Sequence, residues 1–205
     1  QLGCDLIAMG AHGATGANKL MVGSTTHRVL RRSPLPVLAT PPVKRWKRPS
    51  PNWPGKKAIA PVDFGPRDRA DALAAAVAAK ELGMQLELVH VVEPIADVPW
   101  LELDEARRNR QRERRAAARL SRLQDDLRWA VTGVRVETGK PADKIAAISA
   151  LSNVGLVIMT RRKGQGLFGP RQGSISYQVL VKSETPVLAL PSDSKWMRKV
   201  VRRAK

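Results

Sequence analysis

The chain has 205 residues, of which 36 are lysine or arginine and 18 are aspartate or glutamate, so its formal net charge is +18. An apolar content of 43% with 26% charged residues is typical of a globular chain and excludes a disordered one. No apolar run approaches the ~20 residues that a membrane-spanning helix needs. The single cysteine, Cys4, excludes an intramolecular disulfide and a multi-cysteine zinc site. We therefore expect no membrane insertion, no metal site and a cytoplasmic location.

Residues 6–41 and residues 156–191 are two copies of one sequence. They align without a gap, and 13 of the 36 aligned positions are identical. A repeat this long predicts two copies of one domain. We therefore assign residues 1–41 to the C-terminal part of a first domain and residues 57–191 to a complete second domain. If the two copies are equal in length, roughly 90 residues of the first domain precede Gln1, so we expect the chain to be part of a longer protein.

Most of the positive charge lies in three segments. Residues 42–56 are a basic linker that contains proline and tryptophan, residues 107–122 hold eight arginines and one acid, and residues 192–205 are a basic tail. Such an excess attracts polyanions. Because specific nucleic-acid modules need more than charge, we interpret most of the positive charge as belonging to a solvated helix face and a solvated tail. A nucleic-acid partner stays open because three tryptophans lie among the basic residues: Trp46, Trp53 and Trp196.

The second copy alternates strands and helices. Short apolar runs predict strands, and apolar faces at helical spacing predict helices. In chain order these are strand 57–62, helix 67–82, strand 85–92, helix 101–130, strand 134–138, helix 142–151, strand 155–160, helix 174–182 and strand 186–190. Strands that alternate with helices specify a parallel sheet covered on both faces. The predicted fold class is therefore α/β, with an open five-stranded parallel sheet in the complete copy.

The ligand site of such a sheet is expected beyond the carboxyl ends of its strands. Asp63 follows the first strand of the second copy, and a glycine-containing loop follows the fourth. If these strands are neighbours, both features face one crevice. A carboxylate there can accept hydrogen bonds from adenine or ribose, and the amides of a glycine turn can hold phosphates. No residue pair resembles a nucleophile with its base, so we expect no catalytic residue and no enzyme.

The first copy carries a more complete glycine motif. Gly10 and Gly13 are separated by two residues, nine residues follow, and Gly23 and Ser24 then open a predicted helix. This pattern resembles, at every position, the nucleotide motif Gly-x2-Gly-x9-Gly-(Ser/Thr) of the universal stress protein (UspA) family. The chain is similar to the tandem two-domain form of that family, with its first domain truncated. The resemblance implies an adenine nucleotide alpha hydrolase-like fold, and ATP, with Mg²⁺ beside it, as the ligand.

The second copy resembles the family in the adenine half of the site. Pro61, Val62 and Asp63 are similar to the family's first-strand adenine site, and Val91 is similar to a second-strand residue whose backbone meets adenine. The phosphate half departs from the motif: Thr160 and Lys163 stand where the first copy has glycines, and only the final pair of the motif is kept, Gly173 and Ser174. The basic loop at residues 161–171 either still holds an anion or is a degenerate surface loop. Neither copy therefore makes a whole ATP site of the family type.

The two copies end in the same strand sequence, Pro-Val-Leu-Ala, at residues 36–39 and 186–189. In the resembled family the last strands of two domains pair, so the resemblance implies that the two domains of this chain pair through these strands. A homodimer and a protein partner are further expectations. A piece of 41 residues cannot bury a core of its own, so we expect residues 1–41 to lean on the second domain or to be poorly ordered.

Three functions are compatible with these patterns. The first is a non-catalytic, nucleotide-responsive module of the stress response, with ATP bound by the intact first domain. The second is a basic interaction module that binds nucleic acid or an anionic protein without nucleotide. The third, which the resemblance adds, is a cytosolic regulatory domain of a membrane transporter.

Overall fold

A computed structural model of the chain describes residues 3–11, 22–42, 53–94, 105–161 and 174–191. The described helices and strands, in chain order, are β1 (Ile7–Gly10), α1 (Ser24–Arg32), β2 (Val37–Thr40), β3 (Lys57–Pro61), α2 (Asp68–Glu81), β4 (Gln85–Val92), α3 (Glu105–Asp126), β5 (Val131–Thr138), α4 (Pro141–Ser149), β6 (Val154–Arg161), α5 (Ile175–Lys182) and β7 (Val187–Pro191). Among these residues no helix is both long enough and apolar enough to cross a membrane.

The strands form one sheet in the order β1-β2-β7-β6-β3-β4-β5. Strands β3 to β7 are mutually parallel, and β1 is parallel to β2. Strand β2 runs antiparallel to β7. The α/β class and the five parallel strands of the second copy are as predicted. The sheet nevertheless has seven strands and not five, because β1 and β2 extend it beyond β7.

The sheet is covered on both faces by two separate cores. In β3, Ala58 and Ala60 pack with α2 and α3, whereas Ile59 between them packs with α4 and α5. Successive side chains of a strand point to opposite faces, so a strand buried on both sides needs apolar residues throughout. This explains why the apolar runs of the sequence predicted these strands with bounds that differ by only a few residues.

The repeat in the sequence is also a repeat in the structure. Ser33 follows α1, and its hydroxyl donates to the carbonyl of Leu35 and accepts from the Leu35 amide, both at 3.0 Å. Ser183, 150 residues later, makes the same pair of bonds to Thr185 at 2.7 and 3.1 Å. In the β2–β7 pair, Leu38 lies opposite Leu188, its own equivalent. A local twofold axis therefore passes through this residue pair.

The described part of the first 41 residues packs on the second copy. Leu30, Val37 and Ala39 are fully or almost fully buried, and they share one hydrophobic cluster with residues of α5 and β7 such as Val179 and Val187. The segment therefore leans on the second copy, which is the first of the two outcomes expected for so short a piece.

The largest difference among the predicted strands is at β5. This strand begins at Val131, three residues before the predicted start, because Gly133 is tolerated inside it. Gly133 pairs with Glu87 of β4, and an added Cβ would meet only the Glu87 side chain at 3.7 Å. A glycine near a strand end is therefore not a strand boundary here.

Candidate functional site

A cavity of about 540 Å³ opens at the carboxyl ends of β3, β4 and β6, below the first turns of α2, α4 and α5. Strands β3 and β6 are neighbours in the sheet, which is the adjacency that the expected crevice requires. The chain crosses from one side of β3 to the other at this point, so the cavity lies at the topological switch point where α/β sheets bind ligands. Its volume is in the ordinary range of small-molecule sites.

Half of the ten residues singled out from the sequence line this one cavity. They come from three different elements or their ends and are Pro61, Val62, Asp63, Val91 and Ser174. Gly10, Gly23 and Ser24 belong to the first copy and do not line it. Gly13 and Gly173 lie outside the described residues.

The first-copy motif lies at the opposite end of the sheet from the cavity. Because β2 is antiparallel to β7, the carboxyl ends of β1 and β2 point away from those of β3 to β7. At that end the described parts of the motif are tied together: Gly23 N donates to Ala11 O at 2.9 Å, and Thr26 Oγ1 donates to Gly10 O at 2.7 Å. The glycine motif of the first copy and the cavity of the second therefore lie at opposite ends of the sheet.

The turn after β3 is built around Asp63. Val62 N donates to Val89 O at 2.8 Å and closes the end of the strand. The Asp63 side chain then accepts a hydrogen bond from Gly65 N at 2.9 Å. Helix α2 starts later, at Asp68, and its N-cap residue makes no side-chain capping bond. Asp63 thus stabilises the turn at the cavity mouth.

Val91 presents its main chain to the cavity. Peptide groups along a strand alternate between its two neighbours, and Val89 accepts from the β3 side. Val91, two residues later, therefore faces the same side. Strand β3 has already ended there at Pro61, so the peptide of Val91 extends beyond its neighbour and contributes to the cavity wall. A flat ring with hydrogen-bonding edges could meet this main chain.

Ser174 and Ser24 occupy equivalent positions but have different local roles. Ser174 is the N-cap of α5, where its hydroxyl accepts from Tyr177 N at 3.3 Å. Ser24 is the first residue of α1, whose N-cap is Gly23. The first turn of α5, including Ser174 and Ser176, lines the cavity. A helix N-terminus favours negative charge, so the α5 side of the cavity suits an anionic group.

Helix α3 closes the other side of the cavity with arginines. Arg112 Nη1 donates to Glu93 O at 2.5 Å, and Arg112 itself lines the cavity. Arg119 forms an ion pair with Asp68 at 2.7 Å. Asp68 and Arg112 were not predicted as site residues, because nothing in the sequence indicates that a helix 20 to 50 residues away bends over this end of the sheet.

His90 and Phe64 stiffen the Asp63 turn. Their rings stack at a centroid distance of 4.1 Å, and His90 Nδ1 lies 2.7 Å from Val62 O. Arg119 also lies over the Phe64 ring, 4.6 Å from its centroid. Burial lowers the pKa of His90 below 6.5, although the Val62 carbonyl and Asp63 oppose this shift. The imidazole is therefore neutral at neutral pH. The sequence hinted at a role for His90 only through its position next to Val91, which was a predicted site residue.

Arg161, the first residue of the predicted basic loop, does not point to an anion site. Its guanidinium reaches across β7 to the C-terminal end of α1 and donates to the carbonyls of Leu30, Ser33 and Leu35. The side chain is buried, and burial lowers its pKa. A cation at a helix C-terminus is favourable because the last carbonyls there carry partial negative charge. Arg161 thus joins the two copies. The rest of the loop, residues 162–171, lies outside the described residues.

The described cavity combines apolar surface with groups that can form hydrogen bonds. Its walls combine apolar side chains, the exposed main chain of Val91, a carboxylate at Asp63 and a helix N-terminus at Ser174. Four carboxylates line it, those of Asp63, Asp68, Asp71 and Glu93, together with one arginine. Within the described ranges no three His, Cys, Asp or Glu residues group closely enough to hold a metal ion.

A parallel α/β sheet with a ligand-sized cavity at its switch point defines a class of doubly wound, ligand-binding folds. The family model for universal stress proteins matches residues 1–41 and 55–191. The chain therefore belongs to the universal stress protein family. No curated protein sequence matches the chain significantly.

Solved structures of low sequence identity share the fold. A functionally unknown protein from Pseudomonas aeruginosa PAO1 is 19% identical with a TM-score of 0.63, over 98% of this chain and 68% of that one. A universal stress protein from Archaeoglobus fulgidus DSM 4304 is 23% identical with a TM-score of 0.62, over 91% of this chain and 60% of that one. A universal stress protein in complex with cAMP is 16% identical with a TM-score of 0.51, over 68% of this chain and 98% of that one.

Proposed function

We propose that the protein is a non-catalytic, nucleotide-responsive module of the stress response whose second-copy cavity binds an adenine nucleotide. The proposal rests on one observation above all: five residues chosen from the sequence as adenine or phosphate contacts line the same cavity, although they are spread over 114 positions, from Pro61 to Ser174. A structural neighbour of the same family has been solved with cAMP, which supports this ligand class.

In this proposal each wall of the cavity has a separate task. The main chain at Val91 meets the edge of the adenine ring, Asp63 accepts hydrogen bonds from the ribose, and the N-terminus of α5 at Ser174 faces the phosphate. His90 holds the turn that carries Asp63 through its contact with the Val62 carbonyl. Mg²⁺, where it accompanies a nucleotide, commonly binds through the phosphates with few protein ligands.

The carboxylates of the cavity favour ligands of low charge. Four acids and one arginine line it, and each phosphate added to a ligand increases repulsion by the acids. We therefore expect AMP and cAMP to bind the second copy more tightly than ATP. ATP itself is assigned in this proposal to an intact first domain, where Gly10, Gly13, Gly23 and Ser24 make the complete motif.

The proposed division of the chain into domains follows the repeat. Residues 1–41 and 57–191 belong to the two domains, residues 42–56 are a linker and residues 192–205 a tail. The antiparallel pairing of β2 with β7 supports the proposal that the two domains associate through their last strands. Each domain then covers the open sheet edge of the other, which is otherwise a site of unwanted association.

Calorimetric titration with adenosine, AMP, cAMP and ATP tests the cavity. We expect AMP and cAMP to bind, and Asp63→Asn to weaken them about five- to tenfold, because the amide keeps the turn but loses a charged acceptor. Asp125→Asn on the exposed side of α3 is the matched control and should leave binding unchanged. If none of the four adenine ligands binds at millimolar concentration, the proposal is refuted. Equal effects of the two substitutions on binding would refute it as well.

A further inference from the structure

Five arginines form one row along α3. Their spacing of four, three, four and three residues places them on one side of the helix, within roughly 80° of each other. All five are exposed, and they lie beside the buried side of α3, which packs into the core through Ala116, Leu120 and Leu123. This arginine row consists of Arg108, Arg112, Arg115, Arg119 and Arg122.

Two members of the row are fixed at the cavity edge, and three project outward. Arg112 donates to the Glu93 carbonyl and Arg119 pairs with Asp68. Arg108, Arg115 and Arg122 make no ion pair with any described residue. They are seven residues apart, so they repeat at about 10 Å and cover about 21 Å of the helix.

The side of α3 that lies opposite its buried side carries less positive charge along its length. Arg107, Arg110 and Arg114 occupy its N-terminal half, but the same line then continues through small and acidic residues, Ala118, Ser121 and Asp125. The positive charge there ends halfway along the helix. The arginine row, by contrast, continues to the last turn and is the longer electrostatic surface.

The chemistry of the row favours a phosphodiester backbone over a membrane surface. All the basic residues of α3 are arginines, and a guanidinium matches a phosphate with two parallel hydrogen bonds. A helix that lies on a membrane needs large apolar side chains beside its cations, but the large apolar residues of α3, Leu120 and Leu123, are buried. About 21 Å of duplex axis carries roughly twelve phosphates, which is ample for three to five arginines.

We propose that the arginine row of α3 is a binding surface for the backbone of nucleic acid, without sequence specificity. It is a function separate from the nucleotide cavity, although Arg112 also lines that cavity and Arg119 pairs with Asp68 at its edge. Arg108, Arg115 and Arg122 each contact a phosphate, and the net charge of +18 attracts the polyanion over longer distances. Since the contacts are to phosphates alone, binding depends strongly on salt and little on base sequence.

Fluorescence anisotropy of the full 205-residue chain with labelled DNA and RNA duplexes of about 25 base pairs, between 50 and 200 mM salt, tests this proposal. In the row variant, Arg108, Arg115 and Arg122 are all replaced by Gln. We expect its Kd at 100 mM salt to rise at least tenfold and the slope of log K against log salt to fall by about two to three. In the matched control, Arg107, Arg110 and Arg114 become Gln. It has the same net charge and should bind within threefold of the parent chain.

Other outcomes overturn the proposal. Equal losses in both triple variants would mean that only net charge matters, and no loss in either would place binding outside α3. Binding to vesicles of anionic lipid with the same dependence on the row, and no binding to either duplex, would make the surface a membrane site. Thermal melts by circular dichroism check that both triple variants fold, since glutamine and arginine have similar helix propensity.

Discussion

Replacing Arg161 with methionine would remove a side chain that joins the two copies of the repeat. The guanidinium of Arg161 lies at the end of β6 and donates to three carbonyls at the end of α1. Methionine has a similar length and suits a buried site, so it deletes the charge and the hydrogen bonds without leaving a large cavity. We expect α1 and β2 to open locally more often while the second copy stays folded.

The free-energy cost of this substitution follows from the three carbonyls that lose a donor. The bond to Leu30 is buried, and its lost partner costs about 1–3 kcal/mol. The bonds to Ser33 and Leu35 are half-buried, so water replaces part of them, and the lost charge at the helix end adds up to about 1 kcal/mol. Removing a guanidinium whose burial is itself unfavourable returns some of this free energy. The net loss is about 2–4 kcal/mol, or about 30- to 1,000-fold in the local opening equilibrium.

Hydrogen exchange followed by mass spectrometry measures this opening directly. Peptides from residues 24–40 should exchange about 30- to 1,000-fold faster in Arg161→Met, whereas peptides from β4 should be unchanged. Arg128→Met, at an exposed arginine beyond α3, is the control and should leave both regions unchanged. Exchange of residues 24–40 within threefold of the parent chain would refute the account, and so would an equal acceleration in β4, because that would mean global destabilisation.

Three further predictions concern pH, packing and association. Burial lowers the pKa of His90, so the folded state resists protonation of the imidazole, and the free energy of unfolding should fall as the pH drops below 6.5. In urea melts at pH 7.5 and 5.5, the free energy of unfolding of His90→Gln should change less with pH than that of the parent chain. An equal pH dependence in the two chains would contradict this account. Gly155→Ala should lower the melting temperature, because a Cβ there would lie 1.6 Å from Pro54 O, whereas Gly133→Ala should cost less; the reverse order would be inconsistent with the packing. Strand β1 is an edge of the described sheet, and Ala8 in it is exposed, so the chain should self-associate at high concentration. Ala8→Lys should reduce this association in sedimentation experiments. An unchanged sedimentation profile would exclude the β1 edge as the site of association.

Much of the architecture was predictable from the sequence because it depends on local patterns. The apolar run 85–92 predicted β4 with its observed bounds. The repeat of residues 6–41 at residues 156–191 predicted that β1 and β2 would match β6 and β7. The positions of Pro61, Val62 and Asp63 at a strand end also follow from local sequence. In a parallel sheet all carboxyl ends meet at one edge, so residues that follow different strands are brought together by the fold class alone.

The rest depended on contacts between residues far apart in the chain. The destination of the Arg161 side chain, 131 positions from Leu30, was not predictable, since the same charge suits an anion site equally well. The antiparallel pairing of β2 with β7 separates the glycine motif of the first copy from the cavity of the second. The sequence by itself determined the elements, the repeat and half of the candidate site residues. Tertiary structure decided which ends face each other, because strand direction and side-chain partners are chosen by the free energy of the whole packed sheet and not by any local segment.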